Sequence, residues 1–178
     1  MRNDQETRNA RFSAIYEEQF SSIYNYLYAQ ILNRQETEDL TSETFLKAFR
    51  NFDRFDPEKG SARTWLTRIA RNTLIDHFRT RRESIPLDSE GVPEPVFTDE
   101  YDILREPANR EARAVLAQLS PAERELAGMI YFQDMKNPEI GEILGISAKA
   151  VSERHRRLLK HCREIEKGKD LSEFLPPH

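Results

Sequence analysis

Four arginines in the segment 61–82 have the spacing needed to bind a polyanion. The segment, SARTWLTRIARNTLIDHFRTRR, contains no Gly or Pro and is predicted to form one helix of about six turns. Residues eleven apart lie close to three whole turns apart, so one face carries Arg68, Arg71, Arg79 and Arg82. A row of guanidinium groups suits a phosphate backbone. An ordinary core helix with a solvated basic face has the same pattern, so both interpretations stay open for this helix alone.

The same helix carries the residues that would position those arginines. Ser61 precedes its first turn and is predicted to cap the free backbone N–H groups there. An apolar stripe recurs every three to four residues and is expected to face a core; it consists of Trp65, Leu66, Ile69, Ala70, Leu74, Ile75 and Phe78.

Three carboxylates share one face of the preceding predicted helix, 36–52: Glu36, Asp39 and Glu43. Carboxylate-bearing helices build di-iron centres in bundles, but such centres also use Glu-x-x-His pairs, and this stretch of sequence has no His. A second interpretation is docking to a basic surface of a partner. A solvated acidic face is the third, and it is the commonest origin of such a row.

The segment 137–165 predicts a helix-turn-helix. Asn137 is predicted to cap the first helix and Pro138 to open it, and Gly145 supplies the positive φ that the turn requires. Gly141 is small where the helices cross, and Ser147 caps the second helix. In this motif the second helix enters the DNA major groove and offers its polar side chains to bases and phosphates. Those side chains belong to Lys149, Ser152, Glu153, Arg154, Arg156 and Arg157.

Composition and charge set the frame for these motifs. The chain has 178 residues, a net charge of −4 and a single cysteine, which excludes an internal disulfide and fits a reducing cytoplasm. It has no apolar stretch long enough to cross a membrane, and its first residues do not resemble a signal peptide. The acidity is concentrated in residues 83–111, which hold 2 basic and 9 acidic residues.

Periodicity and punctuation predict an all-α chain of two small helical domains. Helical patterns fill residues 10–82 and 108–165, and a Ser-Pro-Ala-Glu capping box at 120–123 starts a new helix in the second. Between them, 83–107 is rich in proline and acidic residues and is expected to be a flexible acidic linker. Residues 166–178 are expected to form a C-terminal tail.

This order of elements resembles the extracytoplasmic-function (ECF) sigma factors of bacterial RNA polymerase. ETEDLTSETFLKAFRNFDRFDP is similar to the family's region 2.2, and SARTWLTRIARNTLIDHFRTRR to its regions 2.3 and 2.4. LSPAERELAGMIYFQDMKNPEIGEILGISAKAVSERHRRLL is similar to region 4. The resemblance implies that 10–82 is sigma region 2, which docks on the polymerase and recognises and melts the −10 element, and that 108–165 is sigma region 4, which recognises the −35 element.

The resemblance also implies residue roles. The surface for the polymerase clamp would be formed by Glu36, Glu38, Asp39, Leu40, Glu43 and Phe45. The loop 52–60 would capture a flipped base of the −10 element. Melted −10 DNA would be held by Phe55, Lys59, Trp65, Arg68, Arg71, Asn72, Asp76 and Arg79, and the −35 element by Lys149, Ser152, Glu153, Arg154, Arg156 and Arg157.

The function implied is that of a sigma factor, which directs core polymerase to promoters and opens the strands. Such a chain is not an enzyme and needs no cofactor or metal; its partners are core polymerase and promoter DNA, with an anti-sigma factor as a further candidate. A conventional DNA-binding regulator is the first alternative, but it leaves the acidic helix and the basic helix unexplained. A carboxylate-bridged metalloenzyme in the N-terminal bundle is the second.

Two segments depart from the family pattern. The usual Thr-Val-Lys-Ser-Arg of the recognition helix is replaced by AVSER at 150–154, which loses a Lys and gains Glu153. That carboxylate could accept a hydrogen bond from cytosine N4, or form an ion pair with Arg157 four residues on. The usual Tyr-x-Glu-Ile-Ala is NPEIG at 137–141, which places Gly141 where the family has Ala.

Overall fold

The computed structural model describes residues 2–84 and 110–172. Within these stretches the chain is helical and contains no strand, which confirms the predicted all-α class. The predicted linker 83–107 lies outside the described residues, apart from its first two positions at the end of a helix. The main helices are α1 (Arg2–Ile31), α2 (Arg34–Arg50), α3 (Ala62–Ser84), α4 (Arg110–Gln118), α5 (Pro121–Ala127), α6 (Asn137–Leu144) and α7 (Ala148–Ser172).

The N-terminal half is formed by α1, α2 and α3. Asn33 caps α2, because its side-chain oxygen accepts the Glu36 N–H at 3.1 Å. A short 3₁₀ turn, Phe52–Arg54, follows α2. Edge-to-face aromatic contacts close the bundle: the Phe12 ring lies 5.1 Å from Phe49 and 5.3 Å from Phe52. The inward face of α2 buries Leu40, Thr44, Phe45 and Ala48.

The second half of α1 is buried on every side rather than along one stripe. Residues 23–29, IYNYLYA, are all at most 4% exposed. A helix is buried all round only when neighbours cover it on all faces. Here α2 and α3 pack on part of its surface, and α4, α5 and the turn that follows α5 cover the rest. The buried apolar side chains of the two halves therefore form one cluster.

The C-terminal half contacts α1 through a tight approach at Gly128. Ser120 and Glu123 form the predicted capping box at the start of α5. A π-helical turn, Gly128–Phe132, follows α5 and was not expected from the sequence. A Cβ at Gly128 would lie 2.9 Å from Cδ2 of the buried Tyr26 ring, so only Gly lets the turn approach α1 this closely. Burial, and secondarily the charge of Glu125, raise the pKa of Tyr26.

The helix-turn-helix of α6 and α7 is confirmed, with one correction at its start. Gly145 adopts φ +67° at the turn, and the Ser147 hydroxyl accepts the Ala150 N–H at 3.1 Å. The expectation that Asn137 caps α6 was wrong, because Lys136 occupies the capping position. The Glu139 carboxylate accepts the Lys136 N–H at 2.9 Å, which satisfies that end of the helix from within its first turn.

Two further features bear on the helix-turn-helix. A Cβ at Gly141 would lie 2.6 Å from the carbonyl oxygen of Ile146, so an Ala here would require the turn to move. Helix α7 continues to Ser172, past the boundary expected at residue 165. Among the described helices, none combines the length and the apolar character that crossing a membrane requires.

Gly145→Ala should lower the free energy of unfolding by about 1 kcal/mol, because an L-residue is strained at φ +67°. Gly168→Ala is the matched control. Gly168 lies within α7 with open space around it, so Ala should leave stability unchanged or raise it by up to about 1 kcal/mol. Urea unfolding followed by circular dichroism measures both, and equal midpoints for the two variants would contradict the turn geometry.

Candidate nucleic-acid interface

Helix α3 carries the predicted cationic face. Ser61 caps it as expected, since its hydroxyl accepts the Thr64 N–H at 3.1 Å. The side chains of Arg68 and Arg79 are 45% and 69% exposed, while Arg71 is half-buried. The predicted fourth member of the row, Arg82, has a side chain outside the described residues. The structure thus places three of the four arginines and shows that their surroundings differ.

Each of these three guanidinium groups faces a carboxylate. Arg79 pairs with Asp76 on its own helix at 3.1 Å. The other two partners lie in the C-terminal half: Arg68 Nη2 lies 2.9 Å from Glu142, and Arg71 Nε lies 2.7 Å from Glu125. The sequence did not indicate these pairs, because they join positions far apart in the chain.

Aromatic rings support the N-terminal end of α3. The half-buried Trp65 ring lies 4.9 Å from Phe55 and 6.2 Å from Phe52. Phe52 and Phe55 therefore pack against Trp65 at the base of the loop 52–60. Lys59 lies in that loop, exposed, with its ammonium 3.3 Å from Asp56. The loop brings a cation and a half-buried aromatic ring to one end of the arginine row.

The middle of the α3 face borders an open cleft. The cleft has a volume of about 190 Å³ and is lined by Arg68, Arg71 and Asn72 of α3 and by Glu142 and Ile143 of α6. Asn72 is exposed, as is the neighbouring Asp76. These predicted DNA contacts thus lie where α3 meets the helix-turn-helix.

The predicted docking set on α2 includes four carboxylates with different environments. Asp39 is exposed, and Glu43 lies 2.7 Å from Lys47 on the same helix. Glu38 bonds Arg34 at the start of the helix. The two apolar members of the predicted docking set are placed in the core: Leu40 is 3% and Phe45 is 4% exposed. They support α2 from beneath and offer no surface to a partner.

Glu36, the first carboxylate of the row, is engaged by α3. Its oxygens lie 3.1 Å from His77 Nε2 and 3.0 Å from Arg81 Nη1. No sequence pattern indicated a His near this row, because only the packing of α3 on α2 brings His77 there. Within residues 2–84 and 110–172, no group of three or more His, Cys, Asp or Glu side chains is placed to hold a metal ion.

Helix α7 presents its predicted DNA-contacting residues to solvent. All six are exposed: Lys149, Ser152, Glu153, Arg154, Arg156 and Arg157. Arg157 Nε donates to the backbone carbonyl of Glu153 at 3.5 Å, so the contact between these two residues does not use the Glu153 carboxylate. Beneath them Val151 and Leu158 are buried and fix the orientation of the helix.

Glu123 joins the start of α5 to α7. Its carboxylate accepts from the Ser120 N–H and hydroxyl and lies 2.8 Å from His161 Nδ1. Burial alone would raise the pKa of Glu123, but the Ser120 hydrogen bonds and His161 outweigh it and hold that pKa below its ordinary value. The carboxylate therefore remains ionised and braces α7 against α5.

Two sigma family models match this chain: Sigma-70 region 2 over residues 15–84 and Sigma-70 region 4 over residues 109–162. The ECF RNA polymerase sigma factor SigW of Bacillus subtilis is 30% identical over 80% of this chain and 84% of its own length. BldN of Streptomyces coelicolor, another ECF sigma factor, is 27% identical over 79% of this chain, and this chain spans only 54% of it.

Two solved structures share the fold. CnrH, in complex with the cytosolic domain of CnrY, superposes with a TM-score of 0.67 at 21% identity, covering 90% of both chains. The sigma factor RpoE of Bartonella quintana, in complex with the anti-sigma factor NepR, superposes with a TM-score of 0.71 at 20% identity. The match covers 88% of this chain and 97% of RpoE. With both region models in order and SigW matched over most of its length, the chain belongs to the ECF sigma factors of RNA polymerase.

Proposed function

We propose that this chain binds core RNA polymerase and directs it to promoters by recognising −10 and −35 elements. The observation that supports this most is the presence of two helices with exposed basic residues, of different kinds, in one family-matched chain. Helix α3 combines a row of arginines with aromatic side chains packed at its N-terminal end, and α7 is the exposed second helix of a helix-turn-helix. On this proposal the chain performs no chemistry itself, needs no cofactor and acts in the cytoplasm.

We assign residues 10–82 to region 2, 83–107 to an acidic linker, 108–165 to region 4 and 166–178 to a C-terminal tail. Region 2 corresponds to α1–α3, and region 4 to α4 and the helices that follow it. An anti-sigma factor is a further candidate partner.

Polymerase docking is proposed for the acidic face of α2. Asp39 and Glu43 are exposed and would pair with cations of the clamp. Glu36 and Glu38 form ion pairs with neighbouring basic residues of this chain. They would therefore add to the negative electrostatic potential of the face more than they would contact the polymerase directly. Leu40 and Phe45 contribute by keeping the helix in place.

Strand holding is proposed for α3 and the loop 52–60. A base that leaves the duplex loses a few kcal/mol of stacking, which a pocket must recover. Phe55 and Trp65 offer aromatic surface for this at one end of the helix. Arg68, Arg71 and Arg79 would then neutralise phosphates along the single strand, and Asn72 is exposed beside them with donor and acceptor groups for a base edge.

Duplex recognition is proposed for α7. Its N-terminal residues Lys149, Ser152 and Glu153 lie where a recognition helix meets base edges. Because the Arg157 contact leaves the Glu153 carboxylate uninvolved, that carboxylate is available to accept from a cytosine N4. The arginines of the following turn would bind phosphate or guanine.

Asp39→Lys with Glu43→Lys should weaken binding to core polymerase at least roughly tenfold, about 1.4 kcal/mol, because two attractive contacts become repulsive. The far-ultraviolet circular dichroism spectrum should be unchanged, since both side chains are exposed. Binding of labelled chain to core enzyme measures the effect.

The charge-matched control for this experiment is Glu17→Lys with Glu18→Lys, two exposed positions on α1. It should retain wild-type affinity for core polymerase. Equal affinities for the two double variants would show that the α2 face does not dock.

Arg154→Ala with Arg157→Ala should weaken binding to duplex promoter DNA and flatten its salt dependence. The slope of log K against log salt is negative, and each lost phosphate contact makes it less steep by about 0.9. Loss of the pair should therefore make it less steep by roughly 1.8. Arg163→Ala with Lys167→Ala, exposed near the other end of α7, is the control with the same change in charge. Identical slopes for both variants would contradict the placement of α7 on DNA.

A further inference from the structure

An arginine near the start of α1 holds the junction between α2 and the loop 52–60. Arg8 Nη2 donates to the carbonyl oxygen of Phe49 at 2.7 Å, and Arg8 Nε donates to Asp53 Oδ1 at 2.7 Å. Phe49 belongs to the last turn of α2, where carbonyls lack partners within the helix, and Asp53 belongs to the 3₁₀ turn that follows. One rigid guanidinium therefore joins the end of α2 to the first turn of the loop.

The same guanidinium lies over the aromatic side chains of this junction. Its Cζ lies 4.6 Å from the centroid of the Phe49 ring and 5.8 Å from that of the Phe52 ring, which are cation–π distances. The side chain of Arg8 is only 19% exposed, whereas that of Asp53 is 74% exposed. An enclosed guanidinium with two acceptors has a fixed orientation, and it imposes that orientation on the exposed Asp53.

Ring contacts continue from this junction to the residues proposed to receive a flipped base. Phe52 is buried and stacks on Phe55, with the two centroids 6.1 Å apart. Phe55 in turn lies 4.9 Å from Trp65 of α3. Because protein interiors are close-packed, displacing the turn Phe52–Arg54 would displace both of the rings beyond it.

Arg8 lies outside the part of the chain that the family resemblance covers. The Sigma-70 region 2 match begins at residue 15, and the boundary expected from the sequence is residue 10. No sequence pattern marks Arg8, since its two hydrogen-bond acceptors are 41 and 45 positions away. The residue joins the loop because α1 begins at Arg2 and its first turns pass beside the end of α2.

We propose that Arg8 is a positioning residue for base capture, because it holds the turn on which Phe52 and the rings beyond it rest. The inference rests on the proposed role of the loop 52–60 in receiving a base that leaves the duplex. A pocket that already has its bound shape loses less conformational entropy when a base enters, so it captures that base more tightly. Arg8 thus contributes to base selection through the loop, and the phosphate contacts of α3 do not depend on it.

The first test measures the loop in the free chain, without DNA. Trp65 is the one tryptophan of the sequence, so its fluorescence reports on the packing against Phe55. Arg8→Met removes the charge and both hydrogen bonds but keeps a long stem, and it should raise the acrylamide quenching constant roughly twofold. Arg163→Met, exposed on α7, has the same change in charge and should leave quenching unchanged. Equal quenching for the two variants would overturn the positioning role.

Further variants determine whether the contact with Asp53 carries this effect. Asp53→Ala removes the acceptor on the exposed turn and should raise quenching in the same direction as Arg8→Met. The double variant should add little to Arg8→Met, because the effects of contacting residues are not additive. Arg8→Lys keeps the charge but not the rigid fork of donors, so it should restore only part of the protection. Fully additive effects in the double variant would contradict the proposal.

The second test measures base selection in the complex with core polymerase. The probe is a forked DNA library in which the duplex −35 segment and the single-stranded −10 segment are both randomised, and the bound fraction is sequenced. Arg8→Met should lower the enrichment of the preferred base at one −10 position roughly fivefold, because a base stacked less firmly binds more weakly. Enrichment in the −35 segment should not change.

Base preference distinguishes positioning from a general loss of structure. A smaller amount of folded chain would lower the bound fraction without altering the preferences, whereas a loosened pocket alters the preference at one position. The control Arg163→Met should keep both sets of preferences. An Arg8→Met complex with the −10 preferences of the wild type would overturn the role of Arg8 in base selection.

The outcomes also separate this inference from the proposed function. A chain that shows the expected quenching, yet does not bind core polymerase, would refute the sigma role and retain Arg8 as the residue that positions the loop. A wild-type complex that selects −10 bases, with an Arg8→Met complex that selects them equally well, would retain the sigma role and refute the positioning role.

Discussion

Burial of the second half of α1 is the constraint on which the rest of the molecule depends. Residues 23–29 present aromatic and aliphatic side chains around the whole helix, and no single neighbour can cover them. Helices α2 and α3 cover part of this surface, and the C-terminal half covers the remainder. Removing so much apolar surface from water is the largest favourable contribution to packing. The position of the C-terminal half, and with it the contacts on α3, follows from this burial.

The contacts between α3 and the C-terminal half are ion pairs, and they contribute to stability differently from the apolar contact on α1. Ion pairs that remain partly exposed contribute little net stability, because water and salt screen them and because ordering two long side chains costs entropy. Such ion pairs orient the two halves relative to each other more than they stabilise their contact. Arg68 and Glu142 are of this kind, whereas Arg71 and Glu125 are more enclosed.

Local chemistry made much of this structure predictable. Ser61, Ser120, Ser147 and Gly145 occupy the caps and the turn that their types predict, because those effects act within a few residues. The shift of the α6 cap to Lys136 is within the same local rules, since Glu139 supplied the acceptor. The exposure of the predicted α7 contacts also followed from periodicity. The apolar stripe expected to face a core on α3 was wrong at two positions, because Ile75 and Phe78 are 46% and 42% exposed.

Features that depend on packing between distant segments were not predictable. A stripe of apolar residues on α1 does not say whether the remaining faces are covered, and the full burial of Tyr26 appears only when region 4 is in place. The pairs Arg68–Glu142 and Arg71–Glu125 join residues separated by more than fifty positions, and no sequence pattern matches them. Leu40 and Phe45 likewise belong to the family's docking segment, but in space they belong to the core.

Because of the contact between Tyr26 and Gly128, the enthalpy of separating the two halves depends on temperature. Hydrating apolar surface raises heat capacity by about 0.45 cal/K/mol for each Å² exposed. Parting region 4 from α1 exposes rings that are now dry, so the enthalpy of opening must change with temperature. Any equilibrium coupled to that opening inherits a curved van't Hoff plot. In this way a glycine packed on a tyrosine ties the availability of a distant helix face to temperature.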